Sequence, residues 1–591
     1  MTVDTILHRL HRNGRNQPNA PAYFAKTGTA WVATPWHEYL SQVRQATRAL
    51  IALGFEAGQI VTILGFNRPE WAIMDLAGML AGGAAAGIYS TNSPKECQYI
   101  IEHAESTVIL VEDEEQWQKI KEIRDDIACL KHIVIMQGTK IDDPMTLDWD
   151  SFVAKGNSVD EGEVDRRLNS LEMDKLSTLI YTSGTTGPPK GVMLSHLNLS
   201  WTAEQAIKLL DIRASDSVLS YLPLSHIAEQ VFTIHAAITA GYCVYYAESG
   251  LKVADNLREV QPTLVFGVPR VWERFSNGIN ARLNEATGAR AKLIAWANGV
   301  GKQVTELRNR GQQPSGLLGM QYNLANKLIF SKLKEAIGLG QVRHCVVGAA
   351  PIAKEILEFF GTLDVVIYEV YGQSEDTGPT SINRPGATKF GSVGQAFPGV
   401  EVKLAEDDEI LVRGPNVFMG YYKDSASTDS DLVDGWLQSG DLGKFDEDGF
   451  LYIIGRKKEI IITSGGKNIA PKNIEAALKN IELVSQAVVI GEQRRFLTAL
   501  ITLDPEAAQR FAEAHDLAVQ GLCEHSTLLD HMQKEIDEKV NVHFARVEQV
   551  RGFKVLPRDF TVEDGELTPT LKIKRRIINQ NFADEIEAMY A

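Results

Sequence analysis

The chain has 591 residues, 44% hydrophobic and 23% charged, so it can bury large cores and is neither disordered nor fibrous. A formal net charge of −16 argues against nucleic acid as the main partner, because phosphate backbones reward basic surfaces. Five scattered cysteines (Cys97, Cys129, Cys243, Cys345 and Cys523) form no Cys-x-x-Cys pair, which argues against a disulfide framework and a zinc site. The opening Met1-Thr-Val-Asp-Thr lacks a basic region followed by an apolar one. The apolar stretches at 76–89 and 231–246 fall short of the ~20 residues of a spanning helix. A cytoplasmic protein without a transmembrane segment is expected, with peripheral membrane contact and a homodimer left open.

Along the chain, residues 37–55 have helical spacing (Leu40, Val43, Ala46, Leu50, Leu53), followed by a strand-like run at 60–64. A helical segment at 71–81 and a buried-strand pattern at 108–111 come next. Short apolar strands recur at 218–221, 264–266, 345–347 and 365–368, which predicts α/β layers with largely parallel sheets. Residues 276–340 read as a polar helical insertion between two strands. After Arg413 the pattern changes to short strands and turns, with Asp446-Glu-Asp-Gly449 as a hairpin turn. The charged cluster Arg456-Lys-Lys-Glu459 marks a boundary, and 460–591 holds enough strand and helix pattern for a small α/β domain.

The richest stretch is Tyr181-Thr-Ser-Gly-Thr-Thr-Gly-Pro-Pro-Lys-Gly-Val-Met-Leu-Ser195. Gly184, Gly187 and Gly191 allow sharp turns that bring backbone N–H groups close to an anion. Thr182, Ser183, Thr185 and Thr186 add hydroxyl donors, and Lys190 adds a charge. Strand patterns at 176–181 and 191–194 flank the loop. It holds the makings of a polyphosphate cradle but is not a Walker A loop, which requires Gly-x-x-x-x-Gly-Lys-[Ser/Thr].

Other segments join it. Tyr371, Gly372, Gln373, Ser374 and Glu375 follow the strand pattern at 365–368, at the end where α/β proteins assemble ligand sites. Glu375 suits Mg²⁺, or is a solvated loop acid. Gly348, Ala349 and Ala350 also follow a strand; their small side chains would let a flat base lie on the backbone, or make a plain tight turn. Asp441, in Ser439-Gly-Asp, offers a carboxylate to two ribose hydroxyls, and Arg456 can reach ribose or phosphate.

In this order the segments 181–195, 371–375, 439–441, 455–456 and 567–576 resemble the adenylate-forming (AMP-binding) superfamily, over nearly the whole chain. Within it the chain resembles long-chain fatty acyl-CoA synthetases of bacterial and bubblegum type. Tyr221-Leu-Pro-Leu-Ser-His226 is similar to their second signature, Val268-Pro-Arg-Val-Trp272-Glu-Arg274 to a long-chain segment, and 276–340 falls where such members carry extra sequence.

The resemblance implies a large domain over 1–456 and a small mobile domain over 457–591, with Lys458 at the hinge. It also implies ATP, Mg²⁺ and CoA, and a two-step reaction. A long-chain fatty acid attacks the α-phosphate of ATP and expels pyrophosphate; the CoA thiol then displaces AMP. In these terms residues 182–187 and Lys190 hold phosphates, Glu375 holds Mg²⁺, His226 borders the acyl site and Trp272 gates an acyl tunnel. Lys572, in Leu567-Thr-Pro-Thr-Leu-Lys572, is the catalytic lysine, with Lys574 close enough to compete for that assignment. Gly465 and Gly466 leave room for the pantetheine arm. The alternatives are an acid ligase that loads a carrier-protein phosphopantetheine, or a non-catalytic nucleotide-binding relative.

Overall fold

Two large sheets dominate the first 450 residues of the computed structural model, which describes residues 3–182, 188–568 and 572–591. In the eight-stranded sheet, Leu176–Thr182, Ala84–Ile88, Ile60–Leu64, Val108–Val111, His132–Ile135 and Thr146–Asp148 run parallel in that spatial order. All five residues of Ile60–Leu64 are buried, as are all four of Val108–Val111, because helices cover both faces. Their continuous Val/Ile/Leu runs are the sequence signature of that double burial. Ala84–Ile88, Val108–Val111 and Thr146–Asp148 each lead into a helix that starts on a side-chain cap, from Ser93, Asp113 and Asp148. Pro94–His103, for example, begins with a reciprocal Ser93–Glu96 capping box and proline in its first turn.

The nine-stranded sheet has a central parallel set comprising Pro21–Thr27, Cys243–Tyr246, Ser217–Ser220, Leu264–Gly267, His344–Val347 and Ile367–Tyr371. Its edges are antiparallel. Between Leu264–Gly267 and His344–Val347 the chain is helical: Pro269–Asn284, Gly288–Arg308, Gly316–Ala325, a wider turn over 326–330, and Ser331–Ala336. A five-stranded antiparallel sheet follows, in which Trp436–Phe445 and Leu451–Arg456 form a hairpin around Asp446–Gly449.

The small C-terminal unit pairs Val484–Ile490, Leu497–Leu503 and Val550–Val555 in one sheet packed by helices. Its cores take in residues from Ile461 onward, whereas those of the preceding part end at Ile453. The apolar stretches at 76–89 and 231–246 are a helix end plus a buried strand, and a broken helix plus a strand. No helix among the described residues is long and apolar enough to cross a membrane.

Element ends differ from the sequence reading in one consequential place. The strand predicted at 365–368 is Ile367–Tyr371, so Tyr371 is its last residue and not part of the loop after it. Within the small domain the helix Ser526–Glu535 widens over 536–540 and tightens over 541–543 before Phe544.

Candidate active site

The loop predicted to cradle phosphates closes a hairpin. Leu176–Thr182 and Lys190–Ser195 pair antiparallel, with Tyr181 opposite Gly191 and Thr182 opposite Lys190. Ser183, Gly184, Thr185, Thr186 and Gly187 lie outside the described residues. Lys190 donates to Ser427 Oγ at 2.7 Å, and its ammonium lies 4.5 Å from the ring centroid of Tyr421, a cation–π contact. Tyr421 reaches it because Gly420–Tyr421 adds a short antiparallel strand to Lys190–Ser195. The Tyr421 hydroxyl lies 3.0 Å from both Glu375 Oε1 and Asp431 Oδ2. Thus the lysine at the loop base and Glu375 share one aromatic support.

Glu375 sits in the single helical turn Ser374–Asp376, just beyond the strand Ile367–Tyr371. That turn is wound tightly. A Cβ on Gly372 would lie 1.6 Å from the carbonyl oxygen of Gly378, so no other residue fits without moving the backbone. Asp376 is fully buried beneath it, accepting from the Gln373 amide at 2.6 Å and from Thr380 Oγ1 at 2.6 Å. Burial raises its pKa to about 8 against the pull of those hydrogen bonds.

Asp441 and Arg456 are cross-strand partners in the hairpin Trp436–Phe445/Leu451–Arg456, and Arg456 Nε lies 2.9 Å from Asp441 Oδ1. The Tyr371 hydroxyl and Gln373 Nε2 both donate to Asp441 Oδ2 at 2.9 Å. Gln373 Nε2 also reaches the Ser439 carbonyl at 2.8 Å. The buried carboxylate is therefore held from two sheets, with three of its roughly four acceptor directions filled.

Lys572 comes from the other domain. It sits on the return limb of a loop closed by the Leu567–Ile573 bridge, its amide donating to Thr568 Oγ1 at 3.0 Å. The residue is solvent-exposed, yet enough protein surrounds its ammonium to desolvate the charge. Burial lowers its pKa, Arg456 and Lys472 lower it further, and Glu375 and Asp441 pull the other way. Those last two acids belong to the cluster just described, so the Lys572 charge lies within electrostatic reach of it. Lys574 instead occupies the N-cap position of Arg575–Asn581.

His226 caps the short helix Ile227–Gln230, its Nδ1 accepting from the Ala228 amide at 3.2 Å. With Nδ1 an acceptor, the neutral ring carries its proton on Nε2. Burial, and then the charge of Lys572, push its pKa down to about 4, so the ring is neutral near pH 7. The preceding loop is clamped by Asn67, which donates to Ser220 Oγ and the Leu222 carbonyl at 2.7 Å and accepts from the Leu224 amide.

Gly348 is buried against Val370 and Phe266, with Ala349 and Ala350 exposed beyond it. Ala349 has φ of +67°, a strained conformation for a residue with a Cβ, set where the strand His344–Val347 ends. Trp272 is fully buried, edge-on to Phe360 at 5.5 Å, with its Nε1 beside Gly267 and without a hydrogen-bond partner. Lys458 is exposed in the turn Lys457–Glu459 and forms no ion pair among the described residues. Gly465 and Gly466 are exposed in the hairpin tip between Ile461–Ile462 and Asn468–Ile469, where an added Cβ on either meets nothing closer than 4.0 Å. A cavity of about 570 Å³ lies elsewhere, at the opposite ends of the strands His344–Val347 and Ile367–Tyr371, lined by Arg308, Lys334 and Asp364.

Tyr421, Asp376 and Asn67 belong to the site's framework, and the sequence reading missed them. Each acts through contacts made by folding, and only Asp376 adjoins a motif. Among the described residues no three acids, histidines or cysteines converge on a metal position. Glu375, with Asp431 across the shared Tyr421 hydroxyl, offers a carboxylate that fits a hard divalent cation whose remaining ligands come from phosphate oxygens and water.

Strand ends of two sheets linked through Tyr421, Glu375 and Asp441, with a lysine of the C-terminal unit within electrostatic reach, fit the class of adenylate-forming enzymes. Family models agree: the AMP-binding enzyme model matches residues 10–422, and the AMP-binding enzyme C-terminal domain model matches 458–591. The long-chain-fatty-acid–CoA ligase ACSBG2 of Xenopus laevis is 38% identical over 621 residues, covering 99% of this chain and 83% of the relative. The long-chain-fatty-acid–CoA ligase FadD15 of Mycobacterium tuberculosis is 35% identical over 597 residues, covering 99% and 97%. Among solved structures, the adenylation domain of a carboxylate reductase from Mycobacterium chelonae aligns with a TM-score of 0.76 at 22% identity, covering 100% of this chain and 92% of that one. The anthranilate CoA ligase AuaEII aligns with a TM-score of 0.72 at 21% identity, covering 98% and 97%. The chain belongs to the AMP-binding enzymes and, within them, to the long-chain-fatty-acid–CoA ligases.

Proposed function

We propose that this chain activates a long-chain fatty acid with ATP and transfers the acyl group to CoA. The observation that carries the reading is the Asp441–Arg456 pair joined through Gln373 to the Glu375 turn, with Lys572 of the small domain within electrostatic reach of all three. In the first half-reaction a fatty-acid carboxylate oxygen bonds to the α-phosphorus as the bond to pyrophosphate breaks. This step calls for positioning and charge stabilisation more than for covalent catalysis. Lys572 supplies a positive charge where the carboxylate and α-phosphate oxygens meet. Asp441 has one acceptor direction left for a ribose hydroxyl, and a second would displace Arg456 or Gln373. Gly348, Ala349 and Ala350 form the shelf for the base. Mg²⁺ at Glu375, when bound, neutralises phosphate charge.

In the second half-reaction the CoA sulfur attacks the acyl carbon, and AMP leaves with the bonding electrons. We place the domain boundary at 456–457 and the hinge at Lys458, because the cores separate there and Lys458 is exposed in the turn between them. The same turn would withdraw Lys572 and bring up the open hairpin at Gly465 and Gly466 for the pantetheine arm. His226, held neutral, offers Nε2–H beside the reacting carboxylate. The test is pyrophosphate release dependent on palmitate, followed by thioester formation dependent on CoA. Release without a thioester would favour a carrier-protein acceptor, and no release at all would sink the reading.

Two substitutions probe parts of this site. Tyr421→Phe keeps the ring under Lys190 but removes the hydroxyl shared by Glu375 and Asp431. It should lower kcat/KM for ATP about tenfold or more, since a hydrogen bond to a charged group contributes about 1.5–3 kcal/mol. Thermal unfolding measured alongside should shift little. Trp272→Ala opens a cavity beside Gly267 and Phe360, which should cost about 3–5 kcal/mol of stability. If Trp272 gates the acyl tunnel, the chain-length profile shifts while KM for ATP holds; an unchanged profile assigns Trp272 to packing alone.

A further inference from the structure

We infer that the outward face of the helix Gly316–Ala325, continued through 328, seats this protein on an anionic lipid surface. Leu317, Met320, Leu324 and Leu328 are 68%, 66%, 51% and 37% exposed. Their spacing of three, four and four residues puts them in one stripe along one side of the helix. Four large apolar side chains aligned on a water-facing helix differ from the scattered exposed leucines of an ordinary surface.

The opposite face is fully used. Leu318, Tyr322, Ala325 and Phe330 pack on Ala297, Val300 and Val304 of the helix Gly288–Arg308. Tyr322 is also fixed by the Arg308 guanidinium, 4.8 Å from its ring centroid, and by a 3.1 Å hydrogen bond to Asp364. The stripe is therefore presented rigidly, and it cannot turn inward without breaking that packing.

Charge selects the occupant. Residues 288–336 carry eight lysines and arginines against two glutamates, a balance of +6 in a chain whose net charge is −16. Asp364 takes up Arg308 and Lys334, but Lys327 and Lys332, on either side of the stripe's C-terminal end, are exposed and in no ion pair among the described residues. Two copies of such a face repel one another. A bilayer with negative headgroups instead receives the apolar stripe between its headgroups and the lysines at their level. No helix among the described residues is able to span a membrane, so the contact lies in the plane of the surface. The binding stands on this helix alone; its use, to collect a substrate that partitions into lipid, rests on the fatty-acid reading.

The test is co-sedimentation of the full chain with vesicles of phosphatidylcholine, alone or mixed with phosphatidylglycerol. The wild type should bind the mixed vesicles, and more weakly as salt is raised. Met320→Glu combined with Leu324→Glu, and separately Lys327→Glu combined with Lys332→Glu, should each weaken binding about tenfold or more. Thermal unfolding and turnover of a water-soluble medium-chain acid without vesicles should be unchanged. Absence of wild-type binding to mixed vesicles, or binding unaffected by both variants, overturns the proposal. So does a wild-type dimer in sedimentation that Leu324→Glu dissociates, because the stripe would then be an interface between copies. Binding is read independently of turnover, so a failed fatty-acid assay leaves this result standing.

Discussion

Lys572→Ala should reduce acyl-adenylate formation about a thousandfold while leaving transfer from a supplied acyl-adenylate to CoA nearly intact. Removing one preorganised group from a transition state that develops charge costs about 10²–10³ in rate, and a full positive charge belongs at the upper end. The selectivity follows from where the lysine is attached. Lys572 lies in the small domain, on the loop closed by the Leu567–Ile573 bridge, so it serves only while that domain faces Glu375 and Asp441. A turn at Lys458 would remove it before thioester formation. The pH dependence has a defined sign. Desolvation by the surrounding protein, Arg456 and Lys472 set the Lys572 pKa below the ordinary lysine value of 10.5. The charged form is lost as pH rises through that lowered pKa, so adenylation should fall on the alkaline side before the thioester step does. Measuring the half-reactions separately, by pyrophosphate release and by thioester formation from synthetic acyl-adenylate, checks both points. Equal loss in the two assays would refute the division of labour.

The sheets were legible because their central strands are buried on both faces and must be continuously apolar, as Ile60–Leu64 and Val108–Val111 are. Which strands lie side by side was not legible. Pro21–Thr27 pairs with Cys243–Tyr246, more than two hundred residues away, and nothing local encodes that choice. The same division runs through the site. Glu375, Asp441, Arg456 and Lys572 stand in short motifs that a reader finds in linear order. Tyr421 stands in none, yet its hydroxyl lies within hydrogen-bond distance of Glu375, 46 residues earlier in the chain. The Tyr371 boundary was misplaced because a buried tyrosine closing a strand looks the same in sequence as one opening a loop; only the register opposite Ser381 decides it. Asn67 was invisible for another reason. A single asparagine after a strand carries no pattern, although here its amide makes three bonds at 3.2 Å or less that hold the loop leading to His226.

Gly372→Ala should cost about a hundredfold in rate, although it adds one methyl group to a residue that need touch no substrate. The added carbon would sit 1.6 Å from the Gly378 carbonyl oxygen and 2.9 Å from Asp376 Oδ1. Real contacts require about twice the first distance. The Gly378 side has little slack, because its amide donates to the Gln373 carbonyl at 2.8 Å and closes the turn. Relief must therefore come from the 373–376 segment, which carries Gln373 to Asp441 and Glu375 to the Tyr421 hydroxyl. Overpacking of this kind costs about 1–3 kcal/mol of stability. A shift of about 1 Å in a positioned group costs about a hundredfold in rate. The expected result is a fall of that size in kcat/KM for ATP with a modest loss in Tm. Gly465→Ala is the matched control, because the nearest neighbour of its added carbon, Thr463 Oγ1, lies 4.0 Å away and Tm should be unchanged. If Gly465 does leave room for the pantetheine arm, that variant slows only the thioester step. Wild-type adenylation in Gly372→Ala would mean that the 372–378 turn yields without moving Glu375, and that the carboxylate is not held where the reaction needs it.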